Sequence, residues 1–297
     1  MCIRDRYIIV LTVLLLSQGC EDPIEVTLDE APALVTVDAW LADDQNNTQI
    51  RLTLSQTYFD SARVQGIDEA SVTVTSSDGN IYNFESEGGT GNYILPDNGS
   101  LFFTEPVGTT YDLDVILNGV SYTATTTKNA VPPIDSIQQE LRINEPFIED
   151  GVYCNFFATD LPGVGDTYWI KTFKDGEFLN EAVEINIAFD SAFGPGAEVD
   201  NLVFIQPIQE LNNELNPENF AQIPWEVGEV IRVEIHSISN EAFFFWEVLR
   251  DELQNSNNGI FATPAANTPT NISASDGSSV IGFFNVASVS SLTDTIR

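Results

Sequence analysis

The stretch Tyr111–Leu117, Asn118-Gly119, Val120–Thr126 constrains this chain more tightly than any other passage. Tyr111, Leu113, Val115 and Leu117 recur at every second position, the period of a strand with one buried face. Asn-Gly between two such runs supplies the pair of positive φ angles that a two-residue type I′ turn demands. An antiparallel hairpin is therefore predicted here. The same alternation occurs at Gln49–Gln56 (Ile50, Leu52, Leu54) and at Ser71–Thr75 (Val72, Val74), where Asp78-Gly79 leads into Ile81–Phe84. Short strands at this spacing, with no helix between them, predict an antiparallel sandwich of immunoglobulin-like style over residues 33–128.

Residues 129–136, within TTTKNAVPPIDS, read as a proline-rich linker, because Pro132-Pro133 suits neither a helix nor a central strand. A second β domain is expected over 137–297. Its strands are read at Ser136–Ile143, Val152–Ala158, Tyr168–Phe173, Leu202–Ile205, Val230–Ile238 and Val280–Val289. One helix is predicted at about 240–254, capped by Ser239 or Asn240, with Ala242, Phe245, Trp246, Leu249 and Leu253 on one face. The fold class expected is thus all-β with a single helix.

Acids outnumber bases 45 to 11, for a formal charge of −34. Such a surface repels phosphate backbones, so nucleic acid is excluded as a partner. The apolar run Tyr7–Leu16 follows Arg4 and Arg6 and precedes Ser17, Gly19 and Cys20. It is too short to span a bilayer, and the order is that of a signal peptide over 1–19. LSQGC resembles a lipobox, which makes Cys20 the expected lipid attachment point. Glu21 and Asp22 resemble a surface-export signal, and residues 20–32 read as an acidic tether. The expected location is the outer membrane, facing the medium. Cys154 is then the lone thiol of the mature chain and is read as a buried, inert residue.

Candidate chemistry is sparse. His236 is the only histidine, and alternation puts it with Arg232 and Glu234 on the polar side of its strand. A surface or partly packed histidine is expected there, since no nucleophile motif accompanies it. Asp43 and Asp44, and Asp190 and Asp200, carry oxygen ligands in two loops. Neither loop has EF-hand spacing, so solvated loops are expected and calcium is an unsupported alternative. No other cofactor is implied. Gly88–Gly91 is read as a turn rather than a phosphate cradle. Trp225, after Pro224 in a loop region, is the candidate for a ligand-facing ring, weighed against burial.

Several short tracts, in order, carry a family resemblance. They are Asp22-Pro23-Ile24, LVTVDAW at Leu34–Trp40, SQTYFD at Ser55–Asp60, Val131–Ser136, the Ser237–Ser239 lead into the Phe–Trp helix, and Gly282-Phe283-Phe284. Together they resemble the Bacteroidota lipoproteins called domain of unknown function 4249. The resemblance implies a surface partner of a TonB-dependent outer-membrane transporter and transfers no catalytic residue. The expectation is a non-enzymatic binding or accessory lipoprotein. A structural or adhesive surface protein and a secreted hydrolase stand as the alternatives.

Overall fold

The computed structural model describes residues 32–44, 48–56, 62–96, 102–146, 148–196, 199–212, 214–216, 221–255 and 267–297. Cys20, Glu21, Asp22 and the leader lie outside the described residues. The protein is all-β with one long helix. Its strands are β1 (Val35–Ala42), β2 (Gln49–Leu54), β3 (Ser71–Ser76), β4 (Ile81–Ser86), β5 (Asn92–Ile94), β6 (Thr110–Leu117), β7 (Val120–Thr127) and β8 (Ile134–Arg142). They continue with β9 (Gly151–Ala158), β10 (Thr167–Lys174), β11 (Glu177–Phe178), β12 (Asn186–Phe189), β13 (Val230–Ile238), β14 (Ser273–Ala274), β15 (Val280–Ala287) and β16 (Val289–Thr295).

The predicted hairpin is β6–β7, with Leu117 opposite Val120 and φ values of 51° at Asn118 and 83° at Gly119. It sits in a nine-stranded sheet of order β14-β7-β6-β3-β4-β5-β2-β1-β15. β4 pairs with β3 through Val72↔Phe84 to Thr75↔Ile81 and then with β5 through Glu85 and Ser86, so the sheet doubles back on itself. One core lies inside the fold. Val37 and Leu41 of β1 and Ile50 and Leu52 of β2 meet Val74, Leu113 and Val115 there.

The second sheet has the order β11-β10-β13-β16, with β12 also on β10, and β8–β9 forms a separate ribbon. Both faces of β10 and β13 are covered. Tyr168, Ile170, Ile231, Val233 and Ile235 face one core, shared with Phe156 of β9, Phe204 and Ile208. Trp169 faces a second, shared with the long helix Asn240–Asn255, Ile187 of β12, and Phe283 of β15. The helix begins where predicted: Ser239 Oγ accepts from the Ala242 N–H at 3.1 Å. Ala242, Phe245 and Trp246 turn inward, whereas Leu253, expected on the same face, is 45% exposed in the last turn.

Five expectations are corrected. The strand read at Val280–Val289 is β15 over Val280–Ala287, parallel to β1 from Val35↔Val280 to Ala42↔Ala287, but it ends two residues early, and Val289 opens a further strand, β16, that pairs with β13. Ser288 makes the crossing, its N–H donating to Ser237 Oγ at 2.9 Å. The first sheet is consequently not built from 33–128 alone, and Ala33–Arg297 forms one compact unit. The proline-rich segment does not begin as a free linker, because Asn129 is tied in: its carbonyl accepts from Ser237 Oγ and Ser288 Oγ. Leu202–Ile205 is not a strand; Val203 makes one bridge, to Thr159. His236 is buried, 3% exposed. Its strand does alternate, but the polar side is roofed by the first sheet's β1–β15 edge and the helix.

Candidate functional site

The outer face of β1 presents Asp38 and Trp40, alternating with the core residues Val37, Ala39 and Leu41. Sheet register sets Asp38 beside Arg51 of β2, and Arg51 beside Asn92 of β5, in one row. Facing this row is β10, whose Lys171 stands two residues from Trp169 on the same side. Between them lies a cleft of about 560 Å³ lined by Asp38, Trp40, Arg51, Arg63, Lys171 and Phe178, with Gln49, Thr90 and Asn92 completing its polar wall.

Two local devices bring the rim into place. Residues 62–67 run along β2, with the Ile67 N–H donating to Leu52 O at 2.9 Å and the Leu54 N–H to Gln65 O at 3.0 Å, which delivers Arg63. Gly66 packs so closely against Thr90 and Gly91 that a Cβ there would overlap their backbone. Asp68 orders the glycine loop that carries Thr90: it accepts from the N–H groups of Gly89 (2.8 Å) and Gly91 (2.9 Å). Those N–H groups are thereby occupied, as the turn reading of Gly88–Gly91 requires. Their bonds hold the Asp68 carboxyl below its ordinary range.

The floor is aromatic. Trp40 stacks on Phe283 (5.5 Å between ring centroids), meets Trp246 at 4.9 Å and Trp169 at 5.6 Å, and so joins the first sheet to the second. Lys171 is 6% exposed, and its ammonium lies 4.1 Å from the Trp169 ring centroid. Burial pushes its pKa down to about 8, against the pull of Asp44 and Asp38. Asp38 opens on the cleft, yet the protein mass around it raises its pKa, opposed by Arg51, Lys171 and the Trp40 indole.

Most cations elsewhere among the described residues are held by acids. Lys128 pairs with Asp43 at 2.8 Å, Arg142 with Glu140, Lys174 with Glu229, Arg232 with Glu234, and Arg297 with Asp294. Among the described residues, Arg51, Arg63 and, on the long helix, Arg250 have no carboxylate within ion-pair distance, although acids outnumber bases 45 to 11. Three cations and one carboxylate line the cleft in a protein of charge −34, and Asp44 also acts on Lys171.

The sequence-based candidates fall elsewhere. Asp43 is structural: it pairs with Lys128 and accepts from the Val289 N–H at 2.9 Å. Asp190 is 3% exposed and accepts from the N–H groups of Gly165 and Asp166, while Asp200 accepts from Gly163. Asp190 and Asp200 do come together around Asp166, whose pKa rises to about 6 through burial and the neighbouring charges of Asp160, Asp190 and Asp200. Neither aspartate pair is a simple solvated loop, and Asp190 is not in metal-ligand spacing with two other such groups among the described residues. One trio there has that spacing: Asp44, Glu234 and His236. It is already engaged internally, since Glu234 is held by the Arg232 cation and by His236 Nε2 at 2.9 Å. Burial, with Lys171 and Arg232 adding to it, keeps the His236 imidazole neutral well below its ordinary pKa. Trp225 is buried, 6% exposed, beneath the Lys174 ammonium, which removes it as a ligand-facing ring. Cys154 is buried as expected, and burial raises its thiol to about 12.

The cleft residues were missed because each is ordinary alone. The available signal was scarcity: with 11 lysines and arginines in 297 residues, a cation at the polar position of a strand, as at Arg51 and Lys171, is conspicuous.

No curated protein matches the chain. A family model matches residues 21–293, and the chain therefore belongs to the family described as Domain of unknown function (DUF4249).

Proposed function

We propose that this chain is a lipid-anchored outer-membrane protein of a Bacteroidota-type bacterium, facing the medium, which binds a small solute as an accessory to a TonB-dependent transporter. The observation that carries the reading is the cleft between the two sheets: aromatic floor, amide and hydroxyl wall, and two arginines without a partner carboxylate among the described residues. A pocket of this size and mixed lining suits a small ligand. The only histidine is engaged by Glu234 between the sheets, and the only thiol outside the leader and Cys20 is buried and protonated; both favour binding over chemistry. Tethering through Cys20 would confine the protein to the membrane plane and raise its effective concentration beside a transporter.

Two measurements test this. Mass spectrometry of the membrane-extracted protein should find a thioether-linked diacylglycerol on Cys20 as the first residue; an unmodified amino terminus would remove the anchor. Affinity purification in mild detergent should bring down a β-barrel transporter, and its repeated absence would remove the uptake role.

A further inference from the structure

We propose that the ligand of the cleft is a small hydroxylated carboxylate, of the sugar-acid class, gripped through its carboxylate by Arg51 and Arg63. This rests on the cleft being the binding site of the role proposed above, and it names the chemistry that the site takes.

Arginine presents a planar fork of donors that matches a carboxylate in two parallel hydrogen bonds. The arginines at the rim come from separate segments, β2 and the 62–67 stretch bridged to it through Thr53↔Gly66, and both lack an acid partner among the described residues. In so acidic a chain, pairing within the protein is easily reached, as five other cations show. A ligand carboxylate would meet both guanidinium groups. Lys171 adds a cation at the base, where its Trp169 contact fixes the ammonium.

Asp38 stands in the same row as Arg51 and would repel a bare anion, but it accepts from a hydroxyl. Asn92, the register partner of Arg51, adds an amide able both to donate and to accept. Trp40 and Phe178 supply apolar surface for the C–H face of a ring. A carboxylate at one end, hydroxyls across the middle and an apolar face describe a sugar acid better than a phosphate or a plain fatty acid. The volume of about 560 Å³ lies in the range of small-molecule pockets.

The test is isothermal titration of the full chain, purified in mild detergent at pH 7, with D-glucuronate, D-galacturonate, D-gluconate, D-glucose and inorganic phosphate. At least one of the three acids should bind, with D-glucose and phosphate each tenfold weaker or more. Arg51→Gln and Arg63→Gln should each weaken that acid at least tenfold, while Arg250→Gln, on the helix outside the cleft, should leave it unchanged. Circular dichroism would confirm that each variant is folded. Binding to none of the acids overturns the proposal, as does D-glucose binding equally well. Equal binding of phosphate would mark a generic anion site and overturn the sugar-acid assignment. Indifference to both arginine substitutions would place the ligand elsewhere. Loss of the transporter association leaves this titration intact, and failure of the titration leaves the anchored accessory role standing, so the two readings fail separately.

Discussion

Replacing Lys171 with methionine should make the protein more stable while weakening the proposed ligand binding. The ammonium is 6% exposed, and burial lowers its pKa from 10.5 to about 8. At 1.36 kcal/mol per decade, that fall is a penalty of roughly 3 kcal/mol on the charged form in the folded state. The contact with Trp169, 4.1 Å from ammonium to ring centroid, offsets it by about 1 kcal/mol. Methionine keeps the length and flexibility of the side chain without the charge, so Lys171→Met should gain roughly 2 kcal/mol at pH 7. For a chain of this size the melting temperature should rise by about 3 °C. The pH profile gives an independent check. Between pH 8 and 10 the unfolded chain holds a proton on Lys171 that the folded chain has released, so this residue makes wild-type stability rise with pH across that window. The methionine variant should lack that component. Thermal melts followed by circular dichroism from pH 6 to 10 measure both effects. A variant that melts at or below the wild type, or that keeps the same alkaline rise, would refute the reasoning. A stability gain with loss of ligand would mark Lys171 as a residue whose cost to the fold is offset by its use.

Glu105, 7% exposed, accepts hydrogen bonds from Tyr82, Asn80 and Tyr111. Although burial acts to raise it, these bonds hold its pKa at about 2, so its stabilisation is full above pH 4.5 and is lost as pH falls toward 2. Glu105→Gln should cost about 2 kcal/mol at pH 7 by urea unfolding, with the difference from wild type shrinking in acid. Gly282 has φ of 108°, and a Cβ there would collide with the Val37 carbonyl; Gly282→Ala should therefore destabilise by on the order of 4 kcal/mol, and a loss under about 1 kcal/mol would contradict the β1–β15 register. The Cys154 thiol, raised to about 12, should stay inert to a thiol reagent at pH 8 in the native protein and react once guanidinium unfolds it; fast native labelling would show the ribbon open.

Local signals were read well where one face of an element decided its fate. The β6–β7 hairpin needed only alternation and Asn-Gly, and the long helix needed only Ser239 and a stripe of apolar residues. Pairing between distant segments left no such mark. Nothing in Val280–Val289 says that the chain changes sheets at Ser288, because alternation does not name the partner strand. His236 was misplaced for a related reason: alternation separates two faces but does not say whether the second is roofed. The cleft was hidden more deeply still. Its residues come from β1, β2, β5, β10, β11 and the loops beside them, and only the sheet register makes neighbours of Asp38, Arg51 and Asn92.

The parallel pairing of β1 with β15 bears on how the molecule is made. A ribosome or a secretion pore releases Val35 long before Val280, so the edge of β1 must wait, unpaired, for nearly all of the remaining chain. Closing so distant a loop delays the rewarding contacts and slows folding. A polypeptide built this way acquires its final architecture only after its distal strand arrives.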